Sequence, residues 1–327
     1  MVDRRSHKLL KRGPVAWNTW RSRDPWFSPN LSNANLCGLY LYGIDFSATN
    51  LHRVTLRKAM LQAANLSEAI LGGADLSDAF LAHARLAGTR APGANFAGAD
   101  LSQADLYGVN LSWANLNHAH LNQANLRRSD LTGTNFTGAE LNGADLSQAV
   151  LKGTDLSRAD LEYAQLREVN LSQAILSQAR LKGCDLCNSV LDRANLSQAI
   201  LSGALLVQAS LRSAILHRAD LREANLYRID LRWAQGTKAV FEGCDLRNAD
   251  LKGARLNGAN FVGADLSGAD LSMVCLNGAD LYMANLTGAR LSGADLSGAD
   301  LGGVNFNRVD ISTVDLKGAN LTGALLR

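Results

Sequence analysis

Every fifth residue from Leu31 to Leu326 is Leu, Phe or Ile, and only Ala91 and Gly236 break the series, without any shift of register. Few backbones can bury such a series. On an α-helix of 3.6 residues per turn, each step of five advances about 140°, which spreads the leucines around the whole circumference. On a flat strand an odd period sends successive leucines to opposite faces. The remaining solution is a chain that turns a corner in every five-residue unit, so that each Leu points at one central axis. That chain is a coiled solenoid.

Two positions before each axial residue the sequence places a small or β-branched residue, mostly Ala, with Val, Thr, Ser, Cys or Ile as substitutes. The unit reads A-[N/D]-L-S-x, as in "ANLSQAILSGA". In this pattern the chain resembles the pentapeptide repeat family. The resemblance implies an all-β solenoid, a right-handed quadrilateral β-helix with four units per coil and about fifteen coils in all. Leu then fills the axis and Ala the narrower corner. Asn and Asp, just before Leu, are short polar side chains suited to satisfying turn backbone locally, so they read as structural and not catalytic. Glycines such as Gly268 and Gly293 suit a tight corner. Ala91-Pro92 and Gly236 each remove a core side chain, which predicts a local thinning or kink but no domain boundary.

Two segments follow from this reading: a basic, Trp-containing N-terminal cap over residues 1–30 and a pentapeptide-repeat β-helix over 31–327. The leader carries Arg4, Arg5, Lys8, Lys11, Arg12, Arg21 and Arg23 against Asp3 and Asp24. Gly13-Pro14 can end one short helix and begin another, after which Trp17 and Trp20 share a face. An open β-helix end exposes backbone and core, so a cap is expected there. The arrangement G-x-x-x-W-N-x-W-R also resembles leaders of cyanobacterial pentapeptide repeat proteins. With twenty residues per coil, Tyr40, Met60 and Phe80 occupy one outward position on three successive coils. This apolar ladder is expected either to lie under Trp17, Trp20 or Trp26 or to bind a partner. At the other end, "GANLTGALLR" stops within a repeat, which predicts either self-association through the uncapped end, giving a homo-oligomer, or a fraying last coil.

Charge excludes some functions. Thirty-three Lys and Arg stand against thirty Asp and Glu, a net +3 that is too small to announce direct nucleic-acid binding. No apolar run approaches a membrane span, and five cysteines fit a reducing, cytoplasmic setting better than a disulfide framework. Cys184 and Cys187 spell C-D-L-C, but the fold sends one inward and the other outward. Cys244 shares the column of Cys184 three coils away, near 14 Å by strand spacing, too far for a disulfide. His118 and His120 both point outward, with His120 between Asp100 and Glu140 in its column, a weak metal candidate. No nucleophile–base constellation, phosphate loop or cofactor motif is present, and an enzyme is not expected.

The strongest departures from the refrain lie late in the chain. Arg212, Arg232 and Lys252 stack on consecutive coils, Arg218 and Lys238 stack on the adjoining face, and Trp233 stands beside them. This basic ladder is either a surface interleaved with Asp220, Glu223, Asp230 and Glu242 or a dock for an acidic protein partner. Ile175, Val190, Ile200, Leu205, Ile215 and Val240 put apolar side chains where Asn or Asp is usual. A rigid, non-enzymatic scaffold for protein–protein interaction is the function that needs least beyond these features. The family suggests one alternative, a DNA-mimicking regulator of a type II topoisomerase. A near-neutral body, no inserted loop and no C-terminal dimerising helix weigh against it.

Overall fold

The computed structural model describes residues 9–24 and 27–326. Two compact units result, Met1–Ala164 and Gln165–Arg327. In both, one-residue parallel bridges join positions twenty apart, as Asn35↔Thr55 and Thr55↔Asp75 in unit 1 and Asp245↔Asp265 and Asp265↔Asn285 in unit 2. A two-residue turn separates each bridge from the next, so no extended strand forms among the described residues.

The five-residue unit closes its own hydrogen-bond accounts. In unit 1, Leu36 N donates to Thr55 O at 2.7 Å, Gly38 N to Arg57 O at 2.8 Å, and Thr55 N back to Ala34 O at 2.9 Å. Val54 N then closes the turn onto Leu51 O at 3.0 Å. The one remaining N–H, at His52, goes to Asn50 Oδ1 at 3.1 Å. Unit 2 repeats the scheme with Leu246, Asn248, Ala249, Asp265 and, onto the Asp265 carboxylate at 3.0 Å, Ser267. Asn and Asp are therefore the acceptors that the ladder itself does not supply, as expected from sequence.

Packing follows the same period. Axial leucines and phenylalanines from Leu31 to Phe306 are almost wholly buried, and Phe241 and Phe261 stack with ring centroids 4.7 Å apart. Three polar residues in the Ala slot stay buried by reaching a Leu carbonyl one coil back, whereas Ser129 and Thr154 donate to the Leu carbonyl of their own unit. Thr89 Oγ1 donates to Leu66 O at 2.7 Å, Thr134 Oγ1 to Leu111 O at 2.8 Å, and Ser189 Oγ to Leu166 O at 2.6 Å. Leu39 departs from the slot's small-residue rule. It is 40% exposed, and its turn bond to Leu36 O is stretched to 3.4 Å.

The two lapses leave the ladder continuous. Ala91 N still donates to Asn110 O at 2.8 Å and Gly73 N to Pro92 O at 3.0 Å. Pro92 lacks only the N–H that an Asn or Asp at position 90 would have accepted, and position 90 is Arg. At Gly236 the space is already taken: a Cβ there would lie 2.7 Å from Leu256 Cδ2. Instead of the thinning expected from sequence, the side chain one coil on occupies the gap.

The corner position also departs from a simple glycine rule. Many non-glycine residues hold positive φ there, Trp233 at 61° among them. What glycine supplies at 253 is room as well as φ, because a Cβ would lie 2.2 Å from Trp233 Cζ3. The indole leans over the next coil, as Trp113 does over Gly133.

Helix α1, Pro14–Arg23, begins after Gly13 with φ 88° and lies against the edge of the first coil. Trp17 Nε1 donates to Asp45 O at 2.7 Å, Asn18 Nδ2 to Gly43 O at 2.9 Å, and Arg21 Nη2 to Ser47 O at 2.7 Å. Asn18 Oδ1 accepts Asp45 N–H at 2.8 Å, the role that Ile44 O plays for Asn65 one coil later. The Trp17 ring meets Phe46 edge-on at 5.4 Å and Trp20 meets Phe27 at 5.4 Å. These two tryptophans therefore do not cover Tyr40, Met60 and Phe80, which remain exposed; Trp26 lies outside the described residues. Unpaired backbone and the end of the core at Phe46 outcompete an outward ladder for an indole that must also place its N–H. At the far end Ile311, Leu316 and Leu321 are half-buried, and Leu325 and Leu326 are exposed.

Two predictions follow from these contacts. Gly253→Ala should lower stability by roughly 1–3 kcal/mol through overpacking against Trp233 and shift its fluorescence. Gly278→Ala meets no atom within 4 Å and bears only the left-handed backbone cost of about 1 kcal/mol. Equal losses in denaturant melts would contradict this. Asn18→Ala should speed hydrogen exchange at the Asp45 amide while leaving the Asn65 amide, paired to Ile44 O, protected.

Candidate functional site

Arg212, Arg232 and Lys252 stand at the first turn position, just after the axial Leu, on successive coils, and Arg218 and Lys238 stand at the second turn position. Arg212 Nε lies 2.5 Å from Asp230 Oδ2, Arg232 Nη2 lies 2.6 Å from the same oxygen, and Arg232 Nε lies 3.3 Å from Asp250 Oδ2. Two guanidiniums thus converge on one carboxylate. Burial works against ionisation of Asp230, but hydrogen bonds from Arg232 and Arg212 outweigh it and hold the carboxyl below its ordinary value. Asp220 is paired likewise, with Arg222 at 2.6 Å, and Arg222 holds its carboxyl below the ordinary range despite burial. Pairs as exposed as these add little to stability. Their larger effect is to neutralise part of the ladder.

The rest of the ladder is different. Arg218, Lys238 and Lys252 are exposed and make no ion pair among the described residues. Trp233, 52% exposed, stands between Arg232 and the next face. Of the six residues singled out for a partner, Arg212 and Arg232 carry their own counter-charge, and the other four offer unpaired cations and an indole. Close by, Tyr227 lies under two further guanidiniums, with Arg228 Cζ 5.1 Å and Arg247 Cζ 5.6 Å from the ring centroid. Sequence reading missed that cluster, although sorting residues by twenty puts Tyr227 and Arg247 in one column.

The apolar candidates fall into two kinds. Tyr40, Met60 and Phe80 are bridged in succession and exposed, and Tyr40, at 64%, stacks on Tyr42 at 6.4 Å. They make one continuous ladder in unit 1. The second set does not make one patch. Asn195 separates Ile175 from Ile215 in their column, Asp220 separates Ile200 from Val240 in theirs, and Val190 and Leu205 stand in two others.

Chemistry-bearing side chains do not converge. His120 Nδ1 lies 2.9 Å from Glu140 Oε2, and that contact, helped by Asn122, holds the Glu140 carboxyl below its ordinary value. The His118 ring instead lies over Gly138. Among the described residues no three His, Cys, Asp or Glu side chains are grouped to hold a metal ion. Burial pushes up the thiols of Cys184 and Cys187 and takes that of Cys244 to about 12, where Sγ donates to Leu221 O at 2.9 Å. Such thiols are core groups, not nucleophiles.

Comparison with known proteins matches this architecture. A family model for pentapeptide repeats, in eight copies, matches overlapping segments from residues 30–67 to residues 284–324. Among solved structures, the chain is 36% identical to HetL, a pentapeptide repeat protein involved in heterocyst differentiation regulation from the cyanobacterium Nostoc sp. strain PCC 7120. That match covers 71% of this chain and 86% of HetL with a TM-score of 0.26. A pentapeptide repeat protein of the Arabidopsis thaliana thylakoid lumen is 40% identical over 29% of this chain and 59% of its own, with a TM-score of 0.22. Rfr23 from the cyanobacterium Cyanothece 51142 is 34% identical over 35% and 64%, with a TM-score of 0.18. Among curated proteins, none matches the chain. No helix among the described residues is long and apolar enough to cross a membrane. The family-model match across the repeats shows that the chain belongs to the pentapeptide repeat family, whose fold is a right-handed β-helix solenoid.

Proposed function

We propose that the chain is a non-enzymatic scaffold that binds a protein partner on a rigid repeat surface. The observation that carries this reading is the set of unpaired cations, Arg218, Lys238 and Lys252, around the exposed Trp233. They stand on coils whose ladder and turn N–H groups are already bonded. A backbone fixed in this way loses little freedom on binding, and an exposed Trp near Arg is the kind of side chain that anchors an interface. The exposed Tyr40, Met60 and Phe80 ladder is a second, apolar surface in the same reading. Residues 1–30 serve as the cap of a repeat domain over 31–327 with about fifteen coils. The five cysteines, all free, favour the cytoplasm.

The topoisomerase alternative needs a continuous acidic face. In the column that runs Ser210, Asp230, Asp250, Asp270 and Arg290, Arg212 and Arg232 grip the Asp230 carboxylate and Arg290 ends the acidic run. The interruption favours the scaffold. Affinity capture from a lysate of the source organism should recover a protein with the wild type. Capture should weaken about tenfold or more, a loss of about 1.4 kcal/mol, with Arg218→Glu, Lys238→Glu and Lys252→Glu combined. Equal recovery by both forms would remove the ladder from the reading.

A further inference from the structure

Sorted by bridges twenty residues apart, the surface of unit 2 has one face without acid. The column Asn195, Ile215, Gln235 and Arg255 runs up its middle, bridged in succession. The columns that open on Arg193 and Gln198 are the two corners that bound it. Across this face and its corners no Asp or Glu stands between Arg193 and Asp295. Arg193, Arg218, Lys238 and Arg255 are all exposed and make no ion pair among the described residues. Carboxylates on the adjoining faces are already engaged, Asp220 by Arg222 and Asp192 by Ser210 Oγ and the Arg212 N–H.

The three coils that carry Ile215, Gln235 and Arg255 also lack the acceptor that closes the repeat elsewhere. An Asn or Asp at those positions would accept the N–H two residues on, as Asn195 accepts from Ser197 at 3.0 Å. At His217, Thr237 and Asn257 that N–H has no acceptor among the described residues, and Thr237 and Asn257 are exposed. The side chains around them converge. The Trp233 ring lies over Gly253, and Lys238 Cγ comes 3.7 Å from where a Cβ would stand at Gly258. Arg255 stands between those two glycines, so an indole lies on one side of it and a lysine stem on the other.

Cations and open backbone N–H groups together bind anions, and the indole gives the same spot an apolar wall. We infer that this face docks an acidic, extended segment of a partner protein, with its carboxylates on Arg218, Lys238, Arg255 and the open N–H groups and an apolar side chain against Trp233. The inference rests on the scaffold reading and gives its partner a chemistry and a face. From the coil of Arg193 to that of Arg255 the rise is about 14 Å by strand spacing, the span of about four extended residues. Single-stranded nucleic acid fits the face less well. Its bases stack on a series of aromatic rings, and among the described residues Trp233 is the one exposed ring on this stretch of the face.

The test uses the purified full chain and the fluorescence anisotropy of a labelled peptide of alternating Glu and Leu, about six residues long. The wild type should bind this peptide and not one of alternating Gln and Leu. Arg218→Gln, Lys238→Gln and Arg255→Gln combined use a residue native to these columns at Gln198 and Gln235, and should weaken binding about tenfold or more. Gln235→Asn changes no charge but supplies the missing acceptor for the Thr237 N–H, and should weaken binding about threefold. Lys252→Gln, on the adjoining face that carries Asp250, should weaken it far less. Unchanged thermal midpoints verify each fold. Equal binding of both peptides, full affinity in the triple variant or in Gln235→Asn, or tighter binding of oligothymidylate than of the Glu peptide overturns the inference. A chain that ignores the Glu peptide yet captures a protein through Lys252 overturns the inference alone and leaves the scaffold standing. A chain that binds the peptide through this face but recovers no protein from lysate supports the face and sets the scaffold reading aside.

Discussion

One hydrogen bond decides what this repeat can be. The ladder and the turn satisfy four of the five backbone N–H groups of a unit, and where Asn or Asp precedes the axial residue its side chain takes the fifth, just after that residue, as at His52 and Ser267. A short side chain ending in an acceptor is the device that closes the account. Where position 90 is Arg, the chain places Pro92 and so has no N–H to satisfy. The same reasoning explains why acidic residues recur without forming a catalytic site, since one oxygen of each already has a structural task.

Once the backbone is closed in this way, the surface is the only variable. Outward residues twenty apart lie side by side across a bridge, so a short stretch of unusual sequence spreads over four columns and several coils. That geometry joins Tyr40, Met60 and Phe80 into a ladder and breaks up Ile175, Ile200 and Ile215. It also lets a side chain at the corner lean on the next coil, so residues twenty apart constrain each other. Trp233 depends on glycine at 253 and Trp113 on glycine at 133, where a Cβ would collide with the ring.

Much of this was legible in the sequence because the period carries it. Axial leucines, the small slot and the role of Asn and Asp could all be derived from spacing alone. Spacing could not show where α1 docks, because the leader lies outside the period. Asn18 and Trp17 act on the first coil through hydrogen bonds to Asp45 and Gly43 that no pattern announces. Neither could spacing show that Gly236 leaves no gap, which depends on the rotamer of Leu256. The basic ladder was visible as a column, but its division into paired and unpaired cations was not. Arg212 and Arg232 reach Asp230 only because their side chains bend toward one carboxylate, whereas Lys252 does not.

That division bears on what a repeat scaffold can recognise. Regular columns would give every coil the same charge, and a uniform surface selects no register for a partner. Unit 2 breaks this uniformity twice, first by neutralising some cations in place and then by reversing sign beyond residue 255. A partner that slides by one coil, about 4.8 Å, meets a different balance of charge at each step. Carboxylates pinned by backbone N–H groups, as at Asp295 and Asp315, keep that balance in place. The interaction that closes the repeat therefore also fixes the positions of the acidic charges. Register on an otherwise repetitive surface becomes a property of the electrostatics, and the fold supplies only the ruler.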